Sequence, residues 1–157
     1  MNTAIWVVFF IIGAISPVWA RLGENTDQLI ARYGTPLASH EQARQATNPS
    51  LTFLLFQRTG YEIRVSLSRG FSVAESFKKL NGAPLSTREC RILLADNAQG
   101  YPWEAPQVIS GQVKWTRDDG TTAVLTGGRI LDITSQFLLA RETNEQNFED
   151  EPSLSGF

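Results

Sequence analysis

The reading of the fold turns on Tyr61–Phe77, "YEIRVSLSRGFSVAESF". Its first seven residues alternate without a break: Tyr61, Ile63, Val65 and Leu67 are apolar, while Glu62, Arg64 and Ser66 are polar. Successive side chains of a β-strand point to opposite faces, so this pattern predicts a strand with one face in a core and the other in water. Ser68-Arg69-Gly70 interrupts the alternation, and Phe71, Val73 and Phe77 are expected to continue the apolar face. Upstream, the apolar and aromatic run Leu51 to Gln57 is separated from Tyr61 by Thr59-Gly60. Two turn sites between three such runs predict three antiparallel strands joined by tight turns.

Short helical segments precede this block and follow it. In the first, Asn25 can cap with Gln28 three residues on, Leu29, Ile30 and Tyr33 form an apolar stripe, and Gly34 and Pro36 stop the helix. In the second, Ser86 and Glu89 form a capping box, Leu85 supplies a staple, and Cys90, Leu93 and Leu94 share a face. Helices of this length are marginal alone in water, so both must lie on something, and a sheet is the available bed. A polar loop from Ala38 to Ser50, holding the only His, His40, links the first helix to its strands. Beyond the second helix and an aromatic loop come Val113 to Arg117, Asp118-Asp119-Gly120, Thr121 to Thr126, Gly127-Gly128 and Arg129 to Thr134. Asp-Gly between alternating apolar runs is a strong hairpin signal. The order of elements thus repeats at the 61-residue offset between Asn25 and Ser86. The expected fold class is α+β: two α-β-β-β units, 24–80 and 85–140, with an antiparallel sheet and both short helices packed on one face, in a single domain spanning 21–141.

The chain has 157 residues, a net charge of −2 and 19% charged residues. The acidity is concentrated at the end: Glu142, Glu145, Glu149, Asp150 and Glu151 fall in the stretch 142–157, which lacks periodicity and reads as an acidic disordered tail. The body is near neutral, which gives no electrostatic footprint for nucleic acid. The first twenty residues, "MNTAIWVVFFIIGAISPVWA", carry no charged side chain; their apolar core is shorter than a bilayer span, and Val18-Trp19-Ala20 offers small residues where an export peptidase reads. Residues 1–20 are therefore expected to be a signal peptide cut between Ala20 and Arg21, with an uncleaved anchor as the rival reading. Cleavage implies an exported protein, periplasmic or secreted, without stable membrane insertion afterwards. The single thiol, Cys90, is then expected to be a buried small hydrophobe rather than a reactive group.

The helix with Asn25, Thr26, Gln28, Leu29 and Ile30, ending in Tyr33-Gly34-Thr35-Pro36 and followed by aromatic antiparallel strands, resembles the SmpA/OmlA outer-membrane assembly lipoproteins. It is also similar to the tandem α-β-β-β repeat of the β-lactamase inhibitor protein superfamily, and to small exported bacterial proteins of unknown function. The chain departs from the lipoproteins in having no lipid-bearing Cys, and Ala95 stands where Gly34 would repeat. The resemblance implies a protein-binding scaffold without catalysis, and it carries over no binding residue.

The residues themselves offer little chemistry. With one His and one Cys a zinc site is not expected, nor is any other metal or cofactor. There is no Gly-x-Ser-x-Gly turn for a nucleophile and no Gly-rich phosphate loop followed by Lys. Glu62, Glu75, Asp96 and Asp132 could supply a hydrolytic carboxylate pair only if the fold brought two together. Interface chemistry has more candidates: Tyr101 and Trp103 in the aromatic loop, and Arg117 beside a polar strand position, form a candidate interaction surface. The function expected is a non-catalytic protein-interaction or structural module, not an enzyme, whose partner is another exported or envelope protein. The alternatives are a carboxylate-dependent hydrolase and a carrier of a small apolar ligand.

Overall fold

The computed structural model describes residues 21–42, 51–136 and 138. The expected signal segment with Ala20, and the acidic stretch 142–157, lie outside the described residues. The elements run α1 (Thr26–Tyr33), β1 (Ala38–Gln42), β2 (Leu51–Arg58), β3 (Tyr61–Ser68), β4 (Phe71–Lys79), α2 (Thr87–Asp96), β5 (Gln107–Ile109), β6 (Gln112–Thr116), β7 (Thr121–Thr126) and β8 (Ile130–Ser135). All eight strands form one antiparallel sheet in the order β1-β2-β3-β4-β8-β7-β6-β5. The chain is therefore α+β. The sheet is continuous because the last strand of each half, β4 and β8, pair with one another, Ser76 opposite Asp132.

Both capping boxes form. Gln28 N–H donates to Asn25 Oδ1 at 3.0 Å and Asn25 N–H to Gln28 Oε1 at 2.9 Å. Ser86 N–H donates to Glu89 Oε2 at 2.7 Å and Glu89 N–H to Ser86 Oγ at 3.2 Å. Each box satisfies two donors that the first turn of a helix leaves open. Gly34 ends α1 at φ +89°, a conformation that side chains with a Cβ rarely adopt. Hairpin β2–β3 turns through Thr59 and Gly60, both at positive φ, the geometry that matches the twist of the flanking strands.

Two strands depart from the expected α-β-β-β order. Ala38–Gln42, read as the start of a polar loop, is strand β1, paired to β2 with His40 opposite Phe53. Its sequence, ASHEQ, hides it, because an edge strand can be held by backbone hydrogen bonds without an apolar alternation. In the second half, Gln107–Ile109 adds β5, too short for a period to show. Among the described residues each helix is thus followed by four strands.

Phe71 also departs from expectation. A register shift between β3 and β4 leaves Val73 without an opposite number, so that Leu67 pairs with Ser72 and Ser68 with Phe71. An extra residue inverts the facing of everything beyond it, which sends Phe71 outward at 52% exposure while Val73 stays buried at 2%.

The core gathers Leu54, Phe56, Ile63, Val65, Leu67, Phe77, Ala123, Leu131 and Ile133 from the strands with Leu29 and Tyr33 of α1 and Cys90, Leu93 and Leu94 of α2. The Tyr33 and Phe56 rings meet at 5.3 Å and 46°. Trp115 packs against the edge of this cluster. Residues just before α1 are knitted in as well: Gly23 N–H donates to Ser72 O at 2.7 Å, Ser72 N–H donates to Glu24 O at 2.8 Å, and Leu22 is buried.

Candidate functional site

The residues singled out from sequence separate once folded. Tyr101 is 49% exposed. Trp103 is half-buried, and its indole N–H donates to Leu94 O at 2.7 Å, which ties the aromatic loop to the end of α2. Arg117 is only 2% exposed, buried rather than standing on the candidate interaction surface where it was expected. Its guanidinium forms a two-pronged ion pair with Asp119, donates to the Asn97 carbonyl and to Thr121 Oγ1, and lies 5.2 Å from the Trp103 ring and 5.7 Å from that of Tyr101. Burial alone would raise the Asp119 carboxyl, but the hydrogen bonds from Arg117 and Thr121 hold it below its ordinary value. Arg117 is therefore a clasp between α2 and the β6–β7 turn, with most of its N–H donors already committed. Arg21, the residue after the expected cut, is exposed, and its carbonyl accepts from Ser72 Oγ at 3.3 Å.

The acids are distributed over both faces of the sheet. Glu75 is on the core side, 1% exposed. Glu62 and Asp132 alternate onto the opposite face, where Glu62 pairs with Lys78 at 3.1 Å. Asp96 closes α2, and burial raises its carboxyl above the ordinary value. Among the described residues no group of three or more His, Cys, Asp or Glu side chains is placed to hold a metal ion. Cys90 is a buried free thiol, and burial raises it further from ionisation.

The sheet face opposite the core extends across β3, β4, β8, β7 and β6. Register places Ser66, Ala74, Thr134, Thr122 and Thr116 side by side in one row across five strands, and Arg64, Ser76, Asp132, Val124 and Lys114 in the next. The floor is made mostly of half-buried Ser, Ala, Thr and Val side chains with Asp132 among them; the longer Arg64, Lys114 and the Glu62–Lys78 pair stand around it, and the two rows continue onto β2 with Phe53 and Leu55. Sequence reading saw the polar half of the β3 alternation but treated it as a solvated face. It gave no way to know that the same phase continues through β4, β8, β7 and β6.

Glu75 was also missed as a special residue. The signal was present, since it falls between Val73 and Phe77 in the apolar phase of β4. Its Oε2 accepts from Tyr33 OH at 3.3 Å. Burial pushes the carboxyl up to about 7, opposed by the Arg32 guanidinium and the Tyr33 hydrogen bond. The Tyr33 phenol is raised as well, by burial and by the neighbouring carboxylate. On the far helix, Glu89 sits in the opposite regime: hydrogen bonds from Lys79, Ser86 and Tyr61 hold it down at about 2.

No protein-family model matches the chain, and no curated protein matches it. Among solved structures it is similar to a cysteine-rich secretory protein of Staphylococcus aureus subsp. aureus Mu50, at 11% identity and a TM-score of 0.42, over 76% of this chain and 46% of that one. It is also similar to an extracellular protein containing a SCP domain from Bacillus anthracis str. Ames, at 10% identity and a TM-score of 0.43, over 90% of this chain and 52% of that one. The chain thus spans about half the length of these structures. No helix among the described residues is long and apolar enough to cross a membrane.

Proposed function

We propose that this protein is an exported, non-catalytic interaction module that docks another exported or envelope protein on the helix-free face of its sheet. Export is read from the uncharged, apolar residues 1–20 and the small residues before Arg21. The two halves are read as copies of one helix-and-four-strand unit, joined across β4 and β8, with both helices on the same face. Tyr33 of α1 reaches Glu75 and Glu89 of α2 reaches Tyr61, and both strand residues sit in the phase of Ile63 and Val65.

The single observation that carries the proposal is the composition of the opposite face: mostly short Ser, Ala and Thr side chains with Asp132 at its centre, and Arg64, Lys114 and the Glu62–Lys78 pair around them, with no helix packed on that face among the described residues. A flat floor of small side chains lets a partner approach the sheet closely, and a charged rim sets orientation. Capture from the exported fraction should return a specific protein with the native chain and lose it with Ser76→Arg. Tyr101→Ala in parallel tests the aromatic loop as a second contact. If both variants retain the partner, neither surface is the docking site and the proposal fails.

A further inference from the structure

Glu75 occupies the middle of β4, flanked on neighbouring strands by Val65 and Ile133, which bring no charge to it. The elements packed above it are polar. From α1 come Tyr33, hydrogen-bonded to it, and Arg32, itself 5% exposed and ion-paired with Glu24. Glu24 belongs to the arm before α1, as does Arg21, whose charge acts on Asp96. The end of α2 contributes Asp96, on whose carboxyl the Arg32 charge acts, and Arg58 of β2 acts on Tyr33. Glu24 Oε2, Glu75 Oε1 and Asp96 Oδ2 are buried acceptors with no donor, and the Arg32 guanidinium, whose charge acts on Glu75 and Asp96, is the cation buried with them. Buried acceptors without donors are costly, so this region carries a surplus of lone pairs together with buried negative charge. A proton on one carboxyl supplies a donor and removes a charge in the same step.

We propose that this junction of the arm, α1 and the end of α2 over Glu75 is a proton-operated latch. With Glu75 protonated, α1 and the arm are held on the sheet; with Glu75 ionised, they open more readily than the strands beneath. The inference is independent of the docking face. Burial raises the Glu75 carboxyl from 4.5 to about 7, so the folded form holds the proton more tightly than the open form. The latch is therefore strongest below pH 4.5, weakens as pH rises through the window to about 7, and changes little above it. Asp96, raised in the same direction, adds to this dependence.

Hydrogen exchange of the full chain at pH 5 and pH 8, corrected for intrinsic rates, tests the latch. Opening at the Leu29 and Tyr33 amides should increase on the order of 50-fold relative to that at Val65, and Glu75→Gln should abolish most of the increase. A residual rise removed by Asp96→Asn would assign the remainder to that residue and still support the junction as the device. Equal change at Tyr33 and Val65, or a full rise retained in the Glu75→Gln, Asp96→Asn double variant, would overturn it. Should the variants fail to fold, the Glu75 side-chain carboxyl carbon resonance of the native protein decides: a midpoint near 7 supports the latch, and one near 4.5 refutes it.

Discussion

Replacing Leu29 with Ala isolates the contribution of the sheet to a helix too short to stand alone. Leu29 is 0% exposed, whereas its neighbour Ile30 on the same helix is 38% exposed. The change removes three carbon groups, each worth about 0.8 kcal/mol when buried, or roughly 2.4 kcal/mol of transfer free energy. Incomplete collapse of the resulting hole beneath α1 brings the expected loss to about 3 kcal/mol. Ala is at least as good a helix former as Leu or Ile, so intrinsic propensity does not contribute to the loss. Ile30→Ala, deleting the same number of carbons in solvent, should cost less than about 1 kcal/mol. Urea unfolding followed by circular dichroism measures both, with unchanged m-values confirming that only stability has moved. Equal losses in the two variants would refute the reasoning, because they would mean that α1 is not bedded through the face that carries Leu29.

Arg117→Met removes the cation from a pair in which Asp119 and the Asn97 carbonyl remain, and should destabilise the fold by about 3 kcal/mol in the same assay. The Asp119 carboxyl is held below its ordinary 3.8 in the folded state, so its contribution is present above that pH and is lost as pH falls through the lower folded value. Asp119→Asn should therefore flatten the acid limb of the stability profile below about pH 4 and leave the dependence between 4.5 and 7, which belongs to the Glu75 junction.

The antiparallel strands and the two helices were legible because each rests on local chemistry. The β3 alternation, the Asn25 and Ser86 caps and the Thr59-Gly60 turn are fixed by residues within a few positions of one another. Strands β1 and β5 were not legible, since ASHEQ and QVI have no period and owe their state to backbone partners on β2 and β6. The inversion at Phe71 depends on one extra residue in β4 relative to β3, which appears only when the two strands are set in register. Arg117 looked like a surface cation because it stands beside a polar strand position. Its burial comes from Asn97, twenty residues away in sequence, and from the Trp103 and Tyr101 rings. Glu75 was visible as an acid in an apolar phase, but its charged neighbours arrive from the arm, α1 and α2, and no spacing along the chain announces them.

Thiol labelling under native conditions tests most directly whether one face of the sheet is closed by both helices and the other is open. The native chain supplies its own reference in Cys90, buried at 4%. Ser76→Cys introduces a thiol at the centre of the face opposite the core, and Ala123→Cys introduces one on the core face, where Ala123 is 0% exposed. The account predicts that the thiol at 76 reacts within a small factor of its unfolded rate, while those at 90 and 123 react only as fast as the protein opens. Protection at 76, or ready reaction at 123, would contradict it.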